Sequence, residues 1–147
     1  MAVTALLGIV LAACTSTPDA APASSSGPDC TLARTAMDDY SVALQDLAAS
    51  MEAGDAMSAI AAADGMSYAL DQLQEALPGM PPEGTTFVTA SRAVAVKVKQ
   101  AAADSPAMSG LLADLTSDFA DPAFEQGGAA IDAYVDQACP PASPSAS

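Results

Sequence analysis

The 147-residue chain has no histidine, no tryptophan and only four basic residues, Arg34, Arg92, Lys97 and Lys99. Without histidine, a hydroxyl nucleophile lacks its usual base and a metal lacks its commonest nitrogen ligand. Four cations are too few to neutralise a phosphate backbone, which argues against nucleic acid as a partner. They also argue against electrostatic docking on anionic lipid. Aromatic residues make up 4% of the chain, so any core is thin and built from Leu, Met and Val. The apolar run Ala2–Ala13 is 12 residues long, well short of the ~20 that a membrane-spanning helix needs.

What the chain does have is acid and alanine. Eighteen Asp and Glu set a net charge of −14, and alanine fills 36 positions. Alanine-rich sequence with spaced Leu and Met favours helix over sheet. The length allows one domain of ordinary size.

The N-terminal apolar run is broken only by Thr4 and Gly8, and it ends Leu11-Ala12-Ala13-Cys14. Its length suits the core of a signal peptide. Leu, two small residues and a cysteine resemble the lipobox of bacterial lipoproteins. The resemblance covers residues 1–14. It implies that the Cys14 thiol is acylated, that the chain is cut before it, and that Cys14 becomes the anchored N-terminus. Two or more acyl chains hold stably where one is marginal, at ~0.8 kcal/mol per buried methylene. The expected location is the outer face of the cell membrane. The stretch "MAVT" carries no Lys or Arg, unlike such signals, so a basic stretch is expected upstream.

Residues 14–29 read as a tether. "TSTPDAAPASSSGPD" cannot bury a face, and fifteen such residues span ~20–23 Å root-mean-square. The tail at 140–147, "PPASPSAS", is similar and is read as spacer rather than as a glycosylated stalk.

With Cys14 assigned to lipid, Cys30 and Cys139 remain, one on each side of the foldable region 30–139. An exported compartment permits disulfides, and two cysteines have one pairing. A redox pair or a metal site is the alternative. The absence of CxxC and of histidine favours a structural bridge.

Between the cysteines the apolar spacing is helical. Ala33, Met37, Tyr40, Leu44, Leu47 and Met51 step by four and three, and Gly54 ends the pattern. Asp55 can cap a second helix with the seam Ala56, Ala59, Ala63, Met66, Leu70, Leu73 and Leu77. "PGMPPEG" (78–84) stops it. Residues 85–103 fit two patterns. A helix buries Phe87, Val94, Val98 and Ala101 and leaves Val96 outside between Arg92 and Lys99. A strand aligns Val94, Val96 and Val98, but it has no partner here, so the helix is favoured. Ser105-Pro106 and Asp121-Pro122 each read as cap plus first helical residue. The step of five from Phe119 to Phe124 breaks the phase, so two helices are expected there. A Cys30–Cys139 bridge needs the ends to meet. That predicts an all-α, up-and-down bundle of four main helices with one short extra helix at 106–119.

Little in this domain carries chemistry. Gly65-Met66-Ser67-Tyr68-Ala69 approximates a nucleophile elbow but lies mid-helix and lacks the final glycine and a histidine. The acids Asp38, Asp39, Asp114, Asp118, Asp121 and Glu125 lack calcium-loop spacing. Met37, Met51, Met57 and Met66 suit a core better than a copper site. An enzyme, a metal or another cofactor is therefore not expected. Charge is the most informative pattern: residues 84–103 carry +3 between flanks of −8 (30–83) and −7 (104–139). The helix either neutralises its neighbours or presents Arg92, Val96 and Lys99 to a partner. Two functions follow: a lipid-anchored module that binds another envelope protein, or a carrier with a ligand cavity in the bundle.

Overall fold

The computed structural model describes residues 27–140; Cys14, most of the tether and the tail beyond 140 lie outside the described residues. Five helices follow one another: α1 (Cys30–Ala53), α2 (Ala56–Ala76), α3 (Pro82–Ala103), α4 (Ser105–Phe119) and α5 (Pro122–Ala138). Residues 85–103 are helical throughout, within α3.

The α1–α2 hairpin forms for the reasons its sequence announces. Gly54 takes a left-handed conformation (φ 67°), and its N–H returns to the carbonyls of α1's last turn. Asp55 then accepts the N–H groups of Met57 and Ser58 and starts α2. At the other end of the hairpin the Asp29 carboxylate caps α1, and the Asp29 N–H donates to Ala76 O at 2.9 Å. The tether read as 14–29 thus gives up its last residue to the fold.

The buried stripe of α1 differs from the expected seam. Ala33, Ala36, Ala43, Leu47 and Ser50 are buried, while Met37, Tyr40, Leu44 and Met51 are half-buried. Alternate steps are exchanged: Ala36, Ala43 and Ser50 lie deeper than Met37, Leu44 and Met51. Small residues let α1 approach α2, whose Ala59, Ala62, Ala63, Ala69 and Ala76 are all buried. The longer side chains fill the shoulders. Ser50 is satisfied there by its own helix, donating to Asp46 O at 2.7 Å.

α3 begins three residues earlier than the proline-rich stop suggested. Pro82 stands at its first position and Glu83 in its first turn. Pro has no N–H to lose there, and an acid favours a helix N-terminus. The linker shrinks to residues 77–81. α4 is capped by Asp104 rather than Ser105, with no side-chain hydrogen bond at the cap. At α5 the expected Asp121-Pro122 device is present, and Asp121 accepts the Ala123 N–H.

The core has two lobes. Leu47, Ala63, Met66, Val94 and Val98 form one, closed by Leu111 and Leu115 of α4. Ala33, Ala36, Leu70, Leu73, Leu77 and Val88 form the other, closed by Ile131 and Val135 of α5. α1, α2 and α3 run past both lobes, and α4 and α5 take one each. The fourth side of the bundle is therefore split between two helices of 15 and 17 residues. Their junction is bridged by rings: Phe119 and Phe124 lie 5.1 Å apart edge to face, and Phe124 and Phe87 5.8 Å.

Glycine sets the α3–α5 approach. A Cβ on Gly127 would fall 2.5 Å from the Phe87 Cβ and 2.8 Å from the Glu83 carbonyl oxygen. The chain closes as the cysteines required. Cys30 and Cys139 are disulfide-bonded with Cα atoms 5.4 Å apart.

Candidate binding surfaces

Three surface regions and one closed end bear on function. The closed end joins α1 to the end of α5. Beside the disulfide, the Arg34 guanidinium donates to the Cys139 carbonyl at 2.5 Å. A cation on the last carbonyls of a helix complements its dipole. No spacing in the sequence points from Arg34 to Cys139; only the disulfide brings them together.

The first region is the basic face of α3. Arg92 bonds Asp71 and, at 2.7 Å, the Gln74 side-chain oxygen. Lys99 reaches Asp64 at 3.0 Å, also on α2. Lys97 turns the other way, to Asp118 of α4 at 2.6 Å. Val96 is 49% exposed beside them. The three cations are engaged by the acidic helices on either side, in solvent-facing pairs worth ~0–1 kcal/mol each. The face formed by Arg92, Val96 and Lys99 thus offers a partner one apolar side chain and two cations already engaged.

The second region is a shallow trough of about 560 Å³ along the outer side of α1 and α2. Its floor is small (Ala49, Ala61, Gly65), and Val42 and Tyr68 stand exposed on it.

The third region is a cleft between α1 and α5. The two helices meet at the disulfide and then part. An inner hollow of about 150 Å³ is floored by Met37, Tyr40, Leu73, Phe87 and Ile131. Gly128 and Asp132 form its α5 edge. It shares Met37 and Asp132 with an outer groove of about 440 Å³ that runs back past Asp38, Val135 and Asp136 to Arg34. The floor is held firmly. The Tyr40 hydroxyl donates to Ser91 Oγ at 2.9 Å, and its ring meets Phe87 edge to face at 5.5 Å. Ser91 is fully buried on α3, so this bond satisfies two interior hydroxyls at once. Burial raises the Tyr40 pKa above its ordinary value, and the Ser91 bond partly opposes this.

The other chemical candidates disperse. Ser67 lies within α2 and donates to Ala63 O at 2.9 Å, with Gly65 directed at Ala43. Met51 and Met66 belong to one core lobe, Met37 to the other, and Met57 is 75% exposed. Asp118 pairs with Lys97 and Asp121 caps α5. Among the described residues, no group of three or more His, Cys, Asp or Glu side chains could hold a metal. Nor is any helix among them long and apolar enough to cross a membrane.

The Gly127-Gly128 pair in the sequence either weakens its helix or permits close packing, and the close packing falls at Gly127 alone. Ser91 carries no signal, because a serine inside a helical pattern is ordinary. The chain matches no known family model, no curated protein and no solved structure.

Proposed function

We propose that this protein is a lipid-anchored module of the cell envelope that binds another envelope protein through its helical surface. Acylation of Cys14 and a tether ending at Asp29 hold the bundle at the outer face of the membrane. The observation that carries the binding role is the form of the concave surface. The interior side chains pack into two filled lobes, and the larger concavities are troughs open to solvent. A carrier calls for an enclosing chamber of ~300 Å³ or more. The hollow in the α1–α5 cleft, at about 150 Å³, has half that volume, and the open concavity beside Thr85, Thr89 and Ala93, at about 340 Å³, encloses nothing. A side chain of a docking protein fits such a hollow better than a free ligand does. The proposed role includes no enzymatic step: the Ser67 hydroxyl is spent on the Ala63 carbonyl of its own helix.

Two experiments test this reading. Mass spectrometry of the membrane fraction is expected to find a mature chain beginning at an acylated Cys14. An intact Met1 or a free Cys14 thiol would end the anchoring claim. Photo-crosslinkers placed in living cells at Asp132, Val96 and Tyr68 are expected to trap an envelope protein from at least one position. Trapping from none would end the binding claim.

A further inference from the structure

We infer that the α1–α5 cleft is the docking groove, and that its occupant is a basic amphipathic helix of the partner protein. This rests on the binding-module reading and adds the place and the chemistry.

The cleft has the two-part form of a helix-receiving groove. Its floor is apolar and half-exposed at Met37, Tyr40 and Phe87. Its inner hollow has room for one large apolar side chain, the usual form of an interface anchor. Methionine at such a site adapts to the side chain it receives.

The rim supplies the charge. Asp38 on one wall and Asp132 and Asp136 on the other are exposed, and no ion pair among the described residues falls on any of them. The groove holds one cation against these three carboxylates. Arg92, Lys97 and Lys99 are paired elsewhere, and Arg34, at the disulfide end of the groove, is turned to the Cys139 carbonyl. An apolar floor inside a rim of excess negative charge selects a ligand with an apolar stripe flanked by Lys or Arg. The same carboxylates repel an acidic helix and a second copy of this −14 chain. The trough on α1 and α2 is a weaker candidate. Asp39 and Asp46 line it too, but the rest of its lining is mostly Ala, Ser and Gly, with no Met or Phe to receive an anchor.

The test uses the full chain in detergent and a synthetic 18-residue amphipathic helix of Leu and Lys. A twin peptide carries Glu for each Lys. Fluorescence anisotropy is expected to show binding of the lysine peptide alone, weakening as salt rises. Gly128→Leu fills the hollow from a position whose Cβ meets nothing within 4 Å, so the fold is kept. It is expected to lower affinity about tenfold or more, as loss of an anchor pocket does. Asp132→Asn with Asp136→Asn is expected to lower affinity and flatten the salt dependence, and Val96→Asp to leave both unchanged. Circular dichroism melts confirm that each variant is folded.

If Gly128→Leu binds the lysine peptide as tightly as the parent chain, attraction is only to the net charge and the cleft proposal is overturned. Equal binding of the glutamate twin overturns it as well. The binding-module reading fails separately, if none of the crosslinker positions traps an envelope protein. Trapping from Val96 or Tyr68 but not from Asp132 keeps that reading and overturns the cleft.

Discussion

Adjacent glycines on α5 should respond to alanine in opposite directions. At either position, Gly→Ala within a helix gains about 0.8–1.0 kcal/mol from propensity and from the reduced freedom of the unfolded chain. At Gly128 nothing lies within 4 Å of the new Cβ, so that gain is realised. At Gly127 the Cβ arrives 2.5 Å from the Phe87 Cβ and 2.8 Å from the Glu83 oxygen. Carbon atoms prefer separations of about 3.5–4.0 Å. α3 and α5 would have to part by about 1 Å, and the Glu83 contact is backbone, which cannot rotate away. Overpacking of this kind costs about 1–3 kcal/mol. The net expectation for Gly127→Ala is a loss of up to about 2 kcal/mol, and the two variants should differ by the overpacking cost itself, about 1–3 kcal/mol. Urea titration followed by circular dichroism measures this directly. The two midpoints should fall on either side of the parent's. If Gly127→Ala is as stable as Gly128→Ala, α5 does not approach α3 this closely, and the two-lobed packing is wrong.

Three further outcomes are expected. Reducing the Cys30–Cys139 bridge, or replacing both cysteines by alanine, removes a cross-link across about 110 residues. The chain-entropy argument puts its contribution at ~4–5 kcal/mol, read as a lower urea midpoint with helical content kept at low denaturant. Leu70→Ala empties a fully buried site in the second lobe and should cost about 2–5 kcal/mol in the same titration. Tyr40 has its folded-state pKa raised from an ordinary value of 10.0, so the fold favours the neutral phenol. Its contribution is complete below pH 10 and is lost as pH rises through the folded-state value. The tyrosinate transition that Tyr40→Phe removes from the absorbance titration should therefore have its midpoint above 10.0, and a midpoint at 10.0 would refute the buried placement.

Long apolar side chains made much of this fold legible. Leu70 and Leu73 on α2, Leu77 at its C-cap, and Val94 and Val98 on α3 stand where a three-four spacing puts them, and each is buried. Gly54-Asp55 and Asp121-Pro122 announce helix ends through backbone chemistry that tolerates few substitutes. Alanine was less informative because it is at home in a core and on a surface alike. That is why the deeper stripe of α1, through Ala36 and Ala43, hides behind the more conspicuous Met37 and Leu44. Pro82 misled for a related reason: proline both ends helices and begins them, and Glu83 behind it was the signal for a beginning.

The cleft was not legible because it arises from what two distant segments fail to do for each other. α1 meets α2 through alanines and can approach it closely, and α3 meets α5 through Gly127 and Gly84. Between α1 and α5 neither device operates. Met37, Tyr40 and Phe87 floor the space between them, and Asp38, Asp132 and Asp136 line its outer part. The disulfide stands at this seam, where a covalent bond does what packing cannot. It fixes one end of the opening while the rest stays apart. Cys30 and Cys139 close the chain into a bundle and hold α1 and the end of α5 together, with Cα atoms 5.4 Å apart, at one end of the cleft.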